Sequence, residues 1–225
     1  MDTLVWVLVG LLVGTTFSIT GVGGALISVP LFVYLDNAPI HLASVWALFA
    51  AFTGAVFTVA LNRKDTLFDL ALKIAGIAIL TSFFVARFKP MAPALFIKGL
   101  FIAVCAYSFW QVVAKKGFAL RPPSAPTNHS LQRLVLIGIS QGFLMTMTGL
   151  GGGVILMPML LGPLKVPAKQ AVPTSCLTIA IASLGSIAAQ FSQVSETLDP
   201  IKILLLIVAV LLTTLSTRFI LSLMK

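Results

Sequence analysis

Seven runs of this chain, residues 4–20, 42–61, 67–85, 94–113, 131–147, 168–189 and 201–220, are apolar almost throughout. A helix needs about 20 residues to cross the hydrocarbon layer of a bilayer, and each run has that length or nearly so. A soluble fold offers no place for so many: 59% of the residues are hydrophobic and 9% charged, where soluble domains carry about a quarter charged residues. No run alternates apolar and polar residues as a membrane barrel strand must. The expected fold class is therefore an all-α polytopic membrane protein. Asp2 stands where a secretory signal has a basic start, and no small-residue cleavage site leads into a soluble domain, so the first 20 residues read as a span.

The chain repeats itself at an offset of 128. Thr20-Gly21-Val22-Gly23-Gly24 falls on Thr148-Gly149-Leu150-Gly151-Gly152, Ile27 on Ile155, Pro30 on Pro158, Pro39 on Pro167 and Ala43 on Ala171. Such internal duplication is a common plan for secondary transporters. The segment between the halves, KKGFALRPPSAPTNHSLQR, is basic and proline-rich, which suits an aqueous linker. The expected organisation is a first membrane repeat at 1–113, a linker at 114–130 and a second repeat at 131–225.

The glycine segments decide whether the halves are parallel or inverted. As one helix, residues 4–35 would be roughly 48 Å long, against about 30 Å of hydrocarbon. That is too long for one straight span and too short for two. A hairpin of a longer helix and a half-helix, with the glycines at its tip, fits both halves. Charge tests this independently. With both segments turning back, eleven of the fifteen basic residues fall on one side; Arg87, Lys89, Lys98 and Lys202 fall on the other, with four of the six acids. With both running straight through, the split is eight to seven. The positive-inside rule selects the hairpins. Three crossings then separate them, so the second half is inverted. About five further spans accompany the two glycine-tipped broken-helix hairpins. The expected location is the plasma (inner) membrane, with the N-terminus outside and the linker and C-terminus cytoplasmic.

Open backbone survives in a membrane only when buried in protein or lining a polar cavity. The tips are therefore expected near the midplane, each opening a short helix at about 24–34 and 152–162. Such helix N-termini carry free N–H groups and partial positive charge, and glycine lets a ligand approach the backbone. Two of them facing each other would hold an anion. No acid or base is expected at mid-depth in the spans. Backbone dipoles and hydroxyls would then do the binding: Ser18, Thr20, Thr146, Thr148, Thr174 and Ser175, with Gln141 further back. Glycines in membrane helices also serve close packing. Two copies in register, each followed by a short helix with a proline, favour a site instead.

Other features exclude function classes. The GxGxxG register is broken by Leu26 and Val154, and no strand precedes either copy, so no dinucleotide site is expected. Cys105 and Cys176 lie in spans without metal-ligand spacing. No nucleophile–base pair appears, so no enzyme, catalytic residue, metal or cofactor is expected. The net charge of +9 reads as topology-setting charge at the membrane edge and not as a nucleic-acid surface. Trp6, Trp46 and Trp110 read as packing or interface anchors. His41 reads as interfacial, and Pro39, Pro167 and Pro173 as helix starts or bends.

The segments TGVGGALISVPLF and TGLGGGVILMPML, the second followed by PTSCLTIAIAS, resemble the sulfite exporter TauE/SafE family (4-toluene sulfonate uptake permeases) over nearly the whole chain. The resemblance implies transport of sulfur-containing oxyanions or organosulfonates such as sulfite or sulfoacetate. It maps glycine motifs onto residues 20–24 and 148–153, and a TS motif onto Thr174-Ser175. The first half has Trp46-Ala47 at the TS position, which makes hydroxyl contacts one-sided, and the second half has no counterpart of 94–113. With Cys176 included by adjacency, the expected substrate-binding set is Thr20, Gly21, Gly23, Gly24, Thr148, Gly149, Gly151, Gly152, Gly153, Thr174, Ser175 and Cys176. The expected partners are a small anionic substrate and membrane lipid, with homo-oligomerisation left open. Two alternatives stand beside this: a carboxylate or neutral sulfur cargo, and a non-transporting membrane scaffold.

Overall fold

A computed structural model describes residues 2–20, 24–114, 130–194 and 199–223. These form nine α-helices and no strand. The first hairpin is α1 (Asp2–Thr20) and α2 (Gly24–Leu35), followed by α3 (Ile40–Leu61), α4 (Phe68–Phe88) and α5 (Ala94–Ala114). The second hairpin is α6 (Leu131–Thr148) and α7 (Gly153–Leu161), followed by α8 (Ala168–Val194) and α9 (Pro200–Leu223). The chain is thus an all-α polytopic membrane protein. By length and composition Ile40–Leu61, Phe68–Met91 and Ala168–Phe191 can each cross a membrane. The half-helices α2 and α7 have 12 and 9 residues, roughly 18 and 14 Å, and each contains its matched proline, Pro30 or Pro158.

Each hairpin's long helix packs on the fourth helix of the other half. α1 runs parallel to α9: a Cβ on Gly10 would stand 2.5 Å from the Ala209 Cβ, and one on Gly14 2.8 Å from the Val210 carbonyl oxygen. α6 runs parallel to α4 in the same way. A Cβ on Gly138 would stand 2.7 Å from the Ile77 Cβ, and one on Gly142 2.4 Å from the Ala78 carbonyl oxygen. Gly10 and Gly14 match Gly138 and Gly142 at the offset of 128. Two glycines four apart clear one face of a helix, so backbones approach and dispersion contacts replace a hydrophobic drive that lipid cannot supply. The reciprocal pairing is what an inverted repeat produces.

Between these pairs lie α3 and α8. α4 and α8 run parallel: Leu67 meets Thr174 at one end, and Lys89 meets Gln190 at the other. Trp6, Phe32 and Trp46 tie α1, α2 and α3 together, with ring centroids 4.7 to 5.4 Å apart. These are packing residues, whereas Trp110 faces outward. Pro39 caps the start of α3, Pro167 precedes α8, and Pro173 lies in its second turn. Leu80, Phe84, Leu95 and Phe109 are exposed, as residues on a lipid-facing surface are.

Candidate anion site at the second glycine turn

α6 ends because Gly149 takes the left-handed conformation, φ 74°, with its N–H donating to the Met145 carbonyl at 2.9 Å. Gly151 and Gly152 also have positive φ, 65° and 69°. An L-residue forced into that region loses roughly 1–2 kcal/mol, so three such positions in four residues require glycine. The surroundings require it too. A Cβ on Gly149 would stand 2.3 Å from the Ser44 carbonyl oxygen, and one on Gly152 2.7 Å from the Gln141 Cγ.

Gly152 caps α7, and its carbonyl accepts from the N–H groups of Ile155 and Leu156. Helix geometry leaves the N–H groups of Gly153 and Val154 without an acceptor inside α7, and both residues are buried. Beside them lies the Gln141 amide. It is 1% exposed, and neither Oε1 nor Nε2 has a hydrogen-bond partner. A buried amide left unpaired costs about 1–3 kcal/mol per group, which marks a place where a polar ligand or water belongs. Donor groups and a partial positive charge thus converge on one buried spot.

A second polar group reaches the same turn. Lys89, expected from the sequence on an aqueous face, is 2% exposed. Its ammonium donates to Ser44 Oγ at 2.6 Å, to Gln190 Oε1 at 2.5 Å and to the His41 carbonyl at 3.5 Å. The Gln190 amide nitrogen donates to Ser186 Oγ at 3.0 Å, and Ser186 Oγ is 3.1 Å from Thr146 Oγ1. A continuous network therefore runs from Lys89 through Gln190 and Ser186 to the last turn of α6.

The network also fixes the depth of the turn. Ser44 is in the second turn of α3, about 6 Å from its start. The second turn thus sits toward the end of the bundle that carries Lys89, above the expected mid-span position. Withdrawing Lys89 from the charged face leaves the basic residues split eleven to three, so the orientation argument is unchanged.

The other expected site residues fall as follows. Thr148 is buried at the turn; its hydroxyl donates to the Leu144 carbonyl and accepts from the Leu150 N–H. Thr174 lies elsewhere: its hydroxyl accepts from the Leu67 N–H at 3.0 Å, at the start of α4, about 18 Å along α8 from Ser186. Ser175 donates to the Val172 carbonyl, and Cys176 belongs to the apolar cluster with Ala47, Ala51 and Val59. Thr174, Ser175 and Cys176 are therefore not brought to the turn. Gly21 and Gly23 lie outside the described residues, while Thr20 ends α1 and Gly24 begins α2. Leu26, in the first turn of α2, packs against the cluster of Val104, Leu150, Val154 and Ile155. The start of α2 thus approaches the start of α7.

Sequence reasoning missed Lys89, Ser44, Ser186 and Gln190. One signal was available: Ser186 and Gln190 match Thr58 and Asn62 at the offset of 128. The Asn62 amide donates to the Thr58 carbonyl as the Gln190 amide does to that of Ser186.

The profile described as "Sulfite exporter TauE/SafE" matches residues 6–224. A probable membrane transporter protein of Methanocaldococcus jannaschii is 24% identical over 201 residues, which cover 84% of this chain and 73% of that protein. No solved structure matches.

Proposed function

This chain belongs to the sulfite exporter TauE/SafE family and is a multi-pass membrane transporter, and from that premise we propose that it carries small sulfur-containing anions such as sulfite, sulfoacetate or other organosulfonates. The observation that carries this reading is the unpartnered Gln141 amide beside the free N–H groups that open α7. An oxyanion supplies the acceptors which those donors lack, and an N-terminal helix dipole favours its charge. The start of α2 forms the facing wall, through the cluster that Leu26 joins. The cargo leaves chemically unchanged. The protein sits in the plasma (inner) membrane with the linker cytoplasmic, following the positive-inside rule.

The test is a thermal-shift titration of the purified protein with sulfite, sulfoacetate, a series of carboxylates and neutral sulfones, followed by flux in proteoliposomes. Sulfite or a sulfonate should give the largest shift and saturable flux. A response to carboxylates alone would reassign the cargo. No response to any member would leave the scaffold reading.

A further inference from the structure

We infer that Lys89 is the charge-selecting group of this site, an ammonium that a bound anion draws away from Ser44 and Gln190. The inference rests on the reading of the second turn as an anion site, and it adds the residue that makes the cargo anionic.

Lys89 sits where a lysine would ordinarily reach water. It follows α4 directly, and its neighbours Phe88, Pro90 and Met91 are exposed. A long cationic side chain at a span end snorkels outward by preference. This one turns inward and is 2% exposed. Its three acceptors, Ser44 Oγ, Gln190 Oε1 and the His41 carbonyl, are all neutral. Among the described residues no carboxylate lies within ion-pair distance of it. A buried charge without a counter-charge is costly, and charges within membrane proteins are normally paired or mark a substrate path. An anionic cargo supplies the missing charge.

The geometry joins Lys89 to the turn. Ser44 accepts from the Lys89 ammonium through Oγ, while its own backbone packs against Gly149. Gln190 is held from behind: its amide nitrogen donates to both the hydroxyl and the carbonyl of Ser186, which turns Oε1 toward Lys89. Ser44 and Gln190 thus hold the ammonium beside the turn. When an anion occupies the turn, the ammonium exchanges a neutral acceptor for a charged one. A neutral sulfur compound offers no such gain, so Lys89 selects against it.

The experiment measures affinity for sulfite and sulfoacetate, together with thermal stability, on purified wild-type protein, Lys89→Met and Gln190→Glu. Losing a hydrogen bond to a charged ligand should lower the affinity of Lys89→Met about ten- to a hundredfold. Gln190→Glu gives the ammonium an internal counter-ion. It should raise the melting temperature and weaken anion binding about tenfold or more, because the carboxylate competes with the cargo. A purely structural Lys89 predicts the rise in stability with affinity unmoved. Affinities within twofold of wild type in Gln190→Glu and in folded Lys89→Met would overturn the inference and leave the anion site standing. Should Lys89→Met fail to fold, Gln190→Glu alone decides. Equal wild-type affinity for a neutral sulfone and for sulfoacetate would also overturn it. Wild-type protein that binds none of these anions would overturn the functional reading and this inference together.

Discussion

Gly149 lies directly on the backbone of Ser44: a Cβ there would stand 2.3 Å from the Ser44 carbonyl oxygen and 2.6 Å from its Cα. This contact locks the second glycine turn against α3, beside the residue that receives the Lys89 ammonium. Neither backbone can yield as a flexible side chain would, so the turn and the start of α3 move as one unit.

Gly149→Ala should therefore be among the most damaging single-methyl changes in the protein. It combines a left-handed φ of 74° with a backbone clash, and each carries a cost of about 1–3 kcal/mol. Gly76→Ala is the control, since nothing lies within 4 Å of a Cβ at that position in α4. There alanine should be neutral or stabilising by up to about 1 kcal/mol, through helix propensity. Thermal unfolding of both variants in one detergent checks the contrast.

The paired glycines of α1 and α6 should respond by different routes. At Gly142 the obstacle is the Ala78 carbonyl at 2.4 Å; at Gly14 the nearest atom is the Thr213 hydroxyl, with the Val210 carbonyl at 2.8 Å. Gly142→Ala is expected to cost about 1–3 kcal/mol with no simple rescue. Gly14→Ala should be partly rescued by Thr213→Ala, which removes the nearest obstacle. A double-mutant cycle on thermal stability should show this coupling for the Gly14 pair. Strict additivity would mean that α1 and α9 do not pack as described.

Gln141→Leu separates function from stability. It removes a buried amide that has no partner and so removes an unpaid desolvation cost of about 1–3 kcal/mol. The variant should be as stable as wild type or more so, yet lose anion binding and flux. A Gln141→Leu protein with normal flux would show that the amide takes no part in transport.

Thr174→Ala should act on stability. Its hydroxyl accepts from the Leu67 N–H where α4 begins, and stranding that donor costs about 1–3 kcal/mol. Affinity for sulfite should move less than in the Gln141 variant. A large affinity loss at unchanged stability would bring Thr174 back into the binding site.

Orientation is tested by labelling. In a background lacking Cys105 and Cys176, a single cysteine within residues 115–129 should react with an impermeant reagent only from the cytoplasm, and one replacing Asp36 only from outside. Labelling of both from the same side would remove the inverted topology.

The amino-acid sequence by itself determined the helical membrane class, the two broken hairpins and the register that relates them. These are local properties: a helix crosses a bilayer according to its apolar length, and it turns back where glycines permit a left-handed backbone. The glycine pairs Gly10/Gly14 and Gly138/Gly142 were legible at the same offset, although only their packing partners reveal their purpose. Tertiary structure alone decided which polar residues meet. Thr148 and Thr174 look like neighbours because a short half-helix separates them, yet α7 carries the chain back down the bundle before α8 begins. Thr174 therefore lies against Leu67, and Ser186, eight residues from the other end of α8, meets α6. Lys89 looks like one more charge at a membrane edge. Its inward course depends on the rotation and offset of α3, α4 and α8 against one another, which place Ser44 and Gln190 within reach of one ammonium. Interhelical rotation and offset are settled by the packing of all the faces together, so no single stretch of sequence records them.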